Sequence, residues 1–416
     1  MVIGAGIAGM SLAAALTRDG VPATVLEQAP GPTPDGVGVH LTPNALHPLR
    51  RLGLGRALER TGVRPASRDM LRWDDDRLLD SAPLGEEFAE RYGASPLTLL
   101  CSDLHRALRE AVPAGTVRYG RYATDLLEDS DGVTVRCSDG RQVHGDVAIG
   151  ADGANSLVRS LLNTEHYRPP RRLLYRGLAS ASRAPEACGD ARVRVWAGSD
   201  RYISCFPVAG GAQVSFTATV PAGADDPGSY TARDRVRDLA EAFDGWSSAA
   251  LGLVAAAEWV GVWGVHDHAP VPVWNRGRVA LAGAAAHPTL PFFEQAPNQA
   301  IEDAVILADR LRDATALSAD RALADYVRTR RRRTDRLHAV TDGILAALRT
   351  SGERTPEAWA QAVARAEKAN ADAIYGCGPE EDGGGRPAAA EPTAGPAGAA
   401  SGRSGAGAVH RVRPHG

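Results

Sequence analysis

Met1-Val2-Ile3-Gly4-Ala5-Gly6-Ile7-Ala8-Gly9 is the stretch that decides the fold. A β-branched stub runs into glycines at 4, 6 and 9, and Met10 to Arg18 continues with the composition and spacing of a helix. The order predicts strand, glycine turn, helix. Ala23-Thr24-Val25-Leu26-Glu27 then predicts a second buried strand, ending in an acid about twenty residues beyond the glycines and so closing a βαβ unit. The first glycine makes the turn tight, the second lets a pyrophosphate approach the backbone, and the third lets helix and strand pack closely. Helix N–H groups then face the phosphate. A carboxylate at Glu27 accepts hydrogen bonds from a ribose diol and repels a 2′-phosphate, which favours FAD or NAD over NADP.

Outward from this unit, Leu97 to Ala111 predicts a helix entered through Ser102-Asp103, and Gly132 to Val143 predicts a hairpin around Asp139-Gly140. Asp146 to Gly150 and Arg278 to Ala282 are short apolar strands. Between Tyr167 and Trp274, alternating runs such as Arg192 to Trp196 and Ala212 to Val220 fit an antiparallel sheet. Asn298 to about Thr350 has helical periodicity. The expected class is α/β. Its expected divisions are a nucleotide-binding domain in two pieces (1–166 and 275–350), a substrate-facing sheet layer (167–274), a helical extension (351–377) and a tail (378–416). From Gly378 to Ala408 there is no Val, Ile, Leu, Met or aromatic residue, so that segment is expected to be disordered.

Composition excludes several classes of function. With 416 residues the chain is long enough for a large core, and a formal charge of −3 gives no basic excess for nucleic acid. Five scattered cysteines (Cys101, Cys137, Cys188, Cys205, Cys377) show no CxxC spacing, which argues against a disulfide framework or a zinc site and for the cytoplasm. The apolar N-terminus lacks a preceding positive charge, so no signal peptide is expected. Leu251 to Val265 is too short for a membrane helix. His266-Asp267-His268 and the run Arg330 to Arg333 are expected to be structural and a solvated face, respectively.

Three segments taken together are more specific: the glycine turn with Val25-Leu26-Glu27-Gln28, then Gly150-Ala151-Asp152-Gly153, then Leu281 to Pro288 leading to Asn298-Gln299-Ala300-Ile301-Glu302-Asp303-Ala304. In this order the chain resembles the class A FAD-dependent monooxygenases, from residue 1 to about 350. The resemblance implies a Rossmann-like FAD-binding domain, an antiparallel-sheet substrate domain and C-terminal helices. It also implies NADH or NADPH as reductant, dioxygen as oxygen donor and a small aromatic or polycyclic substrate. By that resemblance Gly4, Gly6, Ile7, Ala8, Gly9, Glu27 and Gln28 fall on ADP-binding positions. Asp152 falls on an aspartate associated with FAD and the nicotinamide cofactor, and Gly283, Pro288 and Asn298 fall near the flavin.

The flavin end departs from the family pattern. Ala284 stands where the family has an aspartate that accepts hydrogen bonds from the ribityl chain, so a charge-assisted bond of about 1.5–3 kcal/mol is missing. Phe293-Glu294-Gln295-Ala296-Pro297-Asn298 replaces a glycine-rich turn, and Cys101 replaces an arginine. Side chains restrict positive φ, and Pro297 has no N–H to donate. Three functions therefore compete. The first is an FAD monooxygenase with weakened flavin binding. The second is a flavin-independent relative performing cyclisation, dehydration or isomerisation, with Glu294 and then His287 as the acid or base. The third is a non-catalytic binding protein.

Overall fold

Val2–Ile3 is only a two-residue strand, yet it is central. It pairs in parallel with Val25–Leu26 on one side and Ala148–Gly150 on the other. This is a computed structural model, and it describes residues 1–32, 37–163, 172–188, 190–223, 236–265, 270–288, 292–315, 317–350 and 355–376. Among those residues the sheet has six strands, continuing through Val279–Leu281 to Asn275–Arg276 at one edge and through Val117–Arg118 at the other. All pairings are parallel except that of Asn275–Arg276 with its neighbour. The helix Ile7–Arg18 is buried from Ala8 to Leu16 rather than amphipathic, because it lies between the sheet and the helix Gln295–Leu311. Leu12 and Leu16 each contribute roughly 1.5–3 kcal/mol there.

The second layer is a seven-stranded sheet whose centre is Arg172–Ser180, Gln213–Pro221, Tyr202–Val208 and Arg192–Ala197. Ala257–Val265 forms one edge. The sheet extends beyond the segment in which the sequence placed it: Ser67–Arg72 pairs in parallel with Arg192–Ala197, and Leu78–Pro83 completes the other edge. One face, carrying Tyr175, Trp196, Phe216 and Val260, packs against the helices Val236–Ala242 and Ser248–Ala255. By register the opposite face carries the rows Arg176, Thr217, Ser204 and Leu174, Thr219, Tyr202. Those hydroxyls belong to largely buried residues, so this face is polar by design of the sequence rather than by exposure.

One element differs from expectation. Leu97–Leu100 is a strand, antiparallel to Gly38–Leu41, and the helix starts only at Cys101. A four-residue apolar run reads equally well as helix or strand, and the partner strand decides. The hairpin Val133–Cys137 with Gln142–Gly145 forms as expected. The long helix Ala319–Thr350 and the helix Pro356–Tyr375 follow, the latter packed against Leu78–Pro83 and Ser67–Arg72. His266 to His268, Cys377 and the tail lie outside the described residues.

Candidate functional site

The glycine turn forms a close-packed cradle. Gly4 has φ +99°, and a Cβ there would lie 2.5 Å from the carbonyl oxygen of Ala151; at Gly9 it would lie 2.0 Å from the carbonyl oxygen of Gly4. At Gly6, the N-cap of the helix, a Cβ would meet nothing within 4 Å, so this side of the turn is open. Glu27 braces the turn from the next strand: Oε2 accepts from the Ala5 N–H and Oε1 from the Ala29 N–H, both at 2.8 Å. A cleft of about 180 Å³ opens here, lined by Ala5, Gly6, Met10, Glu27 and, from other elements, His105, Arg109 and Tyr119. Ile7 is half-buried, Ala8 is buried in the helix packing, and Gln28 is exposed and not among the cleft-lining residues.

Asp152 follows the strand Ala148–Gly150. Its Oδ1 accepts from Ser156 Oγ at 2.5 Å and its Oδ2 from the Val158 N–H at 3.2 Å, so it caps the helix Leu157–Leu162. Both oxygens are thus engaged locally.

The third segment folds around a buried carboxylate. Oδ2 of Asp303 accepts from the Gly283 N–H at 2.7 Å and lies 2.6 Å from His287 Nε2, while Oδ1 accepts from Arg330 Nε at 2.6 Å. Burial pushes the Asp303 carboxyl up, but His287 and Arg330 outweigh it and hold the group down at about 2. Gly283 has φ +62°, and a Cβ there would meet Ala8 Cβ at 2.8 Å, which locks this turn against the first helix. His287 is 2 % exposed and its Nδ1 has no hydrogen-bond partner. Ala284 and Pro288 are half-buried beside it.

Arg330 corrects the expectation of a solvated arginine face. It is 1 % exposed, and beyond Asp303 it donates through Nη1 to Glu302 Oε2 at 2.5 Å and through Nη2 to Gln299 Oε1 at 2.6 Å. Arg333 also turns inward, to Glu302 Oε1 at 2.9 Å. The sequence missed this because the matching acids, Glu302 and Asp303, lie on another helix 28 and 27 residues back along the chain.

At the start of Gln295–Leu311 the replaced glycines keep a glycine-like backbone: Phe293 and Glu294 both have φ +54°. Left-handed non-glycine residues cost roughly 1–2 kcal/mol each. Phe293 packs toward the clusters containing Met70, Val340, Leu337 and Ile374, which is core packing. Glu294 is half-buried; burial pushes its carboxyl up, opposed by Arg176 on the polar sheet face. Burial, and then Glu294, push the Tyr202 phenol up, which places these two groups in electrostatic reach. Asn298 is committed to backbone: Oδ1 accepts from the Thr42 N–H at 2.9 Å, and Nδ2 donates to the carbonyls of His40 and Glu294 at 2.9 and 2.8 Å. Cys101, Cys137 and Cys205 are buried cysteines. Among the described residues no cluster of His, Cys, Asp and Glu suits a metal, and no helix is long and apolar enough to cross a membrane.

The residues test differently against the two halves of FAD. The ADP half fits: an open glycine turn, a helix N-terminus, a carboxylate and a cleft lined also by His105, Arg109 and Tyr119 are all present. At the ring end Ala284 offers no side-chain acceptor, Pro297 no donor, and Phe293 and Glu294 carry side chains at positive φ.

Comparison with known proteins agrees with this architecture. A family model described as an FAD binding domain matches residues 1–341. The chain is 39% identical over 337 residues to 3-amino-4-hydroxybenzoate 2-monooxygenase PtmB3 of Streptomyces platensis, covering 81% of this chain and 85% of that one. It is 32% identical to 6-hydroxynicotinate 3-monooxygenase of Pseudomonas fluorescens, covering 82% and 89%. Klebsiella pneumoniae HpxO, solved with FAD and uric acid, superposes with TM-score 0.78 at 27% identity over 90% of this chain and 96% of its own. Fold, glycine cradle and these matches together establish that the chain belongs to the class A FAD-dependent monooxygenase family.

Proposed function

We propose that the chain hydroxylates a small aromatic or polycyclic molecule with FAD held chiefly through its ADP half, NADH or NADPH serving as reductant. The observation that carries this reading is the cradle around Gly4, Gly6, Gly9 and Glu27, which opens on a cleft suited to the adenosine diphosphate moiety. Reduced FAD, when bound, activates dioxygen for transfer of one oxygen atom to the ring. The chain's own part is placement and exclusion of water. Asn298 and Gln295 pin the helix start to Thr42, the Asp303 network holds the Gly283 turn, and the polar sheet face with Arg176, Ser204, Thr217 and Tyr202 offers substrate contacts. Relatives acting on hydroxybenzoate and hydroxynicotinate rings support an aromatic substrate. Buried cysteines at 101, 137 and 205 suit a reducing cytoplasm.

A second reading has its own observation. The Glu294 carboxyl makes no hydrogen bond to a described residue, and its raised affinity for protons suits acid or base work without flavin. His287 is less accessible for that work, with Nε2 engaged by Asp303.

Titration of the purified protein with FAD, followed by visible absorbance and by NADH or NADPH oxidation with hydroxybenzoates, tests the first reading. Saturable FAD binding with substrate-stimulated oxidation is expected. No flavin binding and no stimulated oxidation would refute it, and turnover lost only in Glu294→Gln without flavin would establish the second.

A further inference from the structure

Phe293 and Glu294 hold φ +54° without being glycine, and a left-handed residue that carries a Cβ persists only where its surroundings over-determine it. Two of the restraints are local: the Phe293 carbonyl accepts from Gln295 Nε2 at 3.3 Å, and the Glu294 carbonyl accepts from Asn298 Nδ2 at 2.8 Å. The third comes from far along the chain. The Phe293 side chain packs against two apolar clusters at once, and the helix Pro356–Tyr375 contributes to both. Ala360 and Val363 belong to one, with Trp359 packed beside them, and Ile374 and Tyr375 belong to the other.

That helix lies beyond residue 341, where the family match ends. It is seated along its whole length. Trp359 stacks on Tyr202 with ring centroids 5.8 Å apart, Glu367 pairs with Arg68, and Tyr375 meets Phe88 edge-on at 5.1 Å. A second tie reaches the helix Gln295–Leu311, because Arg333 Nη2 donates both to the Gly376 carbonyl at 2.8 Å and to Glu302 Oε1 at 2.9 Å. Glu294, next along the turn, is in electrostatic reach of Arg176 and Tyr202 on the polar sheet face. One residue of the turn thus engages the C-terminal helix and its neighbour the sheet.

We propose that the helix Pro356–Tyr375 clamps the turn at the start of Gln295–Leu311, with Phe293 as the positioning residue, so that a flavin ring seated against this turn and docking of the helix favour each other. Where glycine would leave the turn free, Phe293 gives it a fixed shape. The clamp itself stands without the hydroxylation reading; its link to FAD rests on that reading.

The test is hydrogen exchange of the full chain, read by mass spectrometry on peptides from Pro356–Tyr375 and from the first turns of Gln295–Leu311. Trp359→Ala and Ile374→Ala loosen the helix without altering the turn; Trp359 is half-buried, so its variant carries the test if Ile374→Ala does not fold. Exchange should rise about tenfold or more in the helix and in the first turns alike, while Arg172–Ser180, which shares no cluster with Phe293, keeps its wild-type rate. Phe293→Gly removes the anchor and the strain together. The helix should then loosen while the first turns exchange more slowly than in Phe293→Ala, the reverse of the order at an unstrained site. First turns at their wild-type rate in Trp359→Ala, a rise shared by Arg172–Ser180, or faster exchange in Phe293→Gly than in Phe293→Ala would overturn the clamp. Saturating FAD should slow exchange in Pro356–Tyr375 by about fivefold, and ADP, which has no ring, should leave it unchanged. Reciprocity requires Trp359→Ala to weaken FAD by the same factor and ADP not at all. Equal effects of FAD and ADP overturn the link alone, and failure of FAD to bind removes the flavin reading while the unliganded rates still decide the clamp.

Discussion

Replacing Arg330 by Met removes four hydrogen bonds from the middle of the molecule while keeping a side chain of similar reach. Asp303 keeps the Gly283 N–H and His287, and Glu302 keeps Arg333 and Asn44. Both carboxylates nevertheless lose a cation in a site where Arg330 is 1 % exposed. Breaking a buried ion pair from one side costs about 3–5 kcal/mol. Arg330→Lys restores the charge but not the planar fork, so a smaller loss is expected. Arg332→Met, two residues along at an exposed position, is the matched control and should stay within about 0.5 kcal/mol. Urea unfolding followed by tryptophan fluorescence, with an unchanged denaturant slope, gives the three values directly. If Arg330→Met costs no more than Arg332→Met, the buried network does not hold the Gly283 turn and the reasoning fails.

Other outcomes follow from the same geometry. Gly9→Ala puts a Cβ where the Gly4 carbonyl stands, so FAD affinity should fall at least about tenfold and stability by about 1–3 kcal/mol; unchanged titration and melting curves would contradict the cradle. Ala284→Asp reinstates the missing acceptor and should tighten FAD by about tenfold or more, with ADP affinity unchanged as the internal check. His40 has a folded value near 4 against 6.5 free, so the unfolded chain binds the extra proton. Stability is therefore full above pH 6.5 and falls by roughly 3 kcal/mol as pH drops to 4. His40→Gln should flatten that window in urea unfolding. Asp303 acts lower: its contribution, roughly 2 kcal/mol, is present above 3.8 and is lost as pH falls through about 2.

What the sequence made legible was local. The strand, glycine turn, helix and terminal acid are consecutive, so their spacing alone carries the glycine cradle. The bonds of Asp152 to Ser156 and Val158 are likewise within six residues. The rest depends on partners far along the chain. Arg330 and Asp303 are 27 residues apart on different helices, and Arg68 meets Glu367 across 299 residues. A charged run reads as surface until the facing acids are known. The parallel pairing of Ser67–Arg72 with Arg192–Ala197 joins segments the sequence had assigned to different layers. His40 gave no signal at all, because its unsatisfied Nε2 exists only once the fold has buried it.

Calorimetric titration of the purified protein with FAD and, separately, with ADP bears most directly on how this family member holds its cofactor. A ring end weakened at Ala284 and at residues 293–297, as proposed, predicts that ADP binds within about tenfold of FAD. FAD binding more than about a thousandfold tighter than ADP, or absence of binding by both, would contradict it.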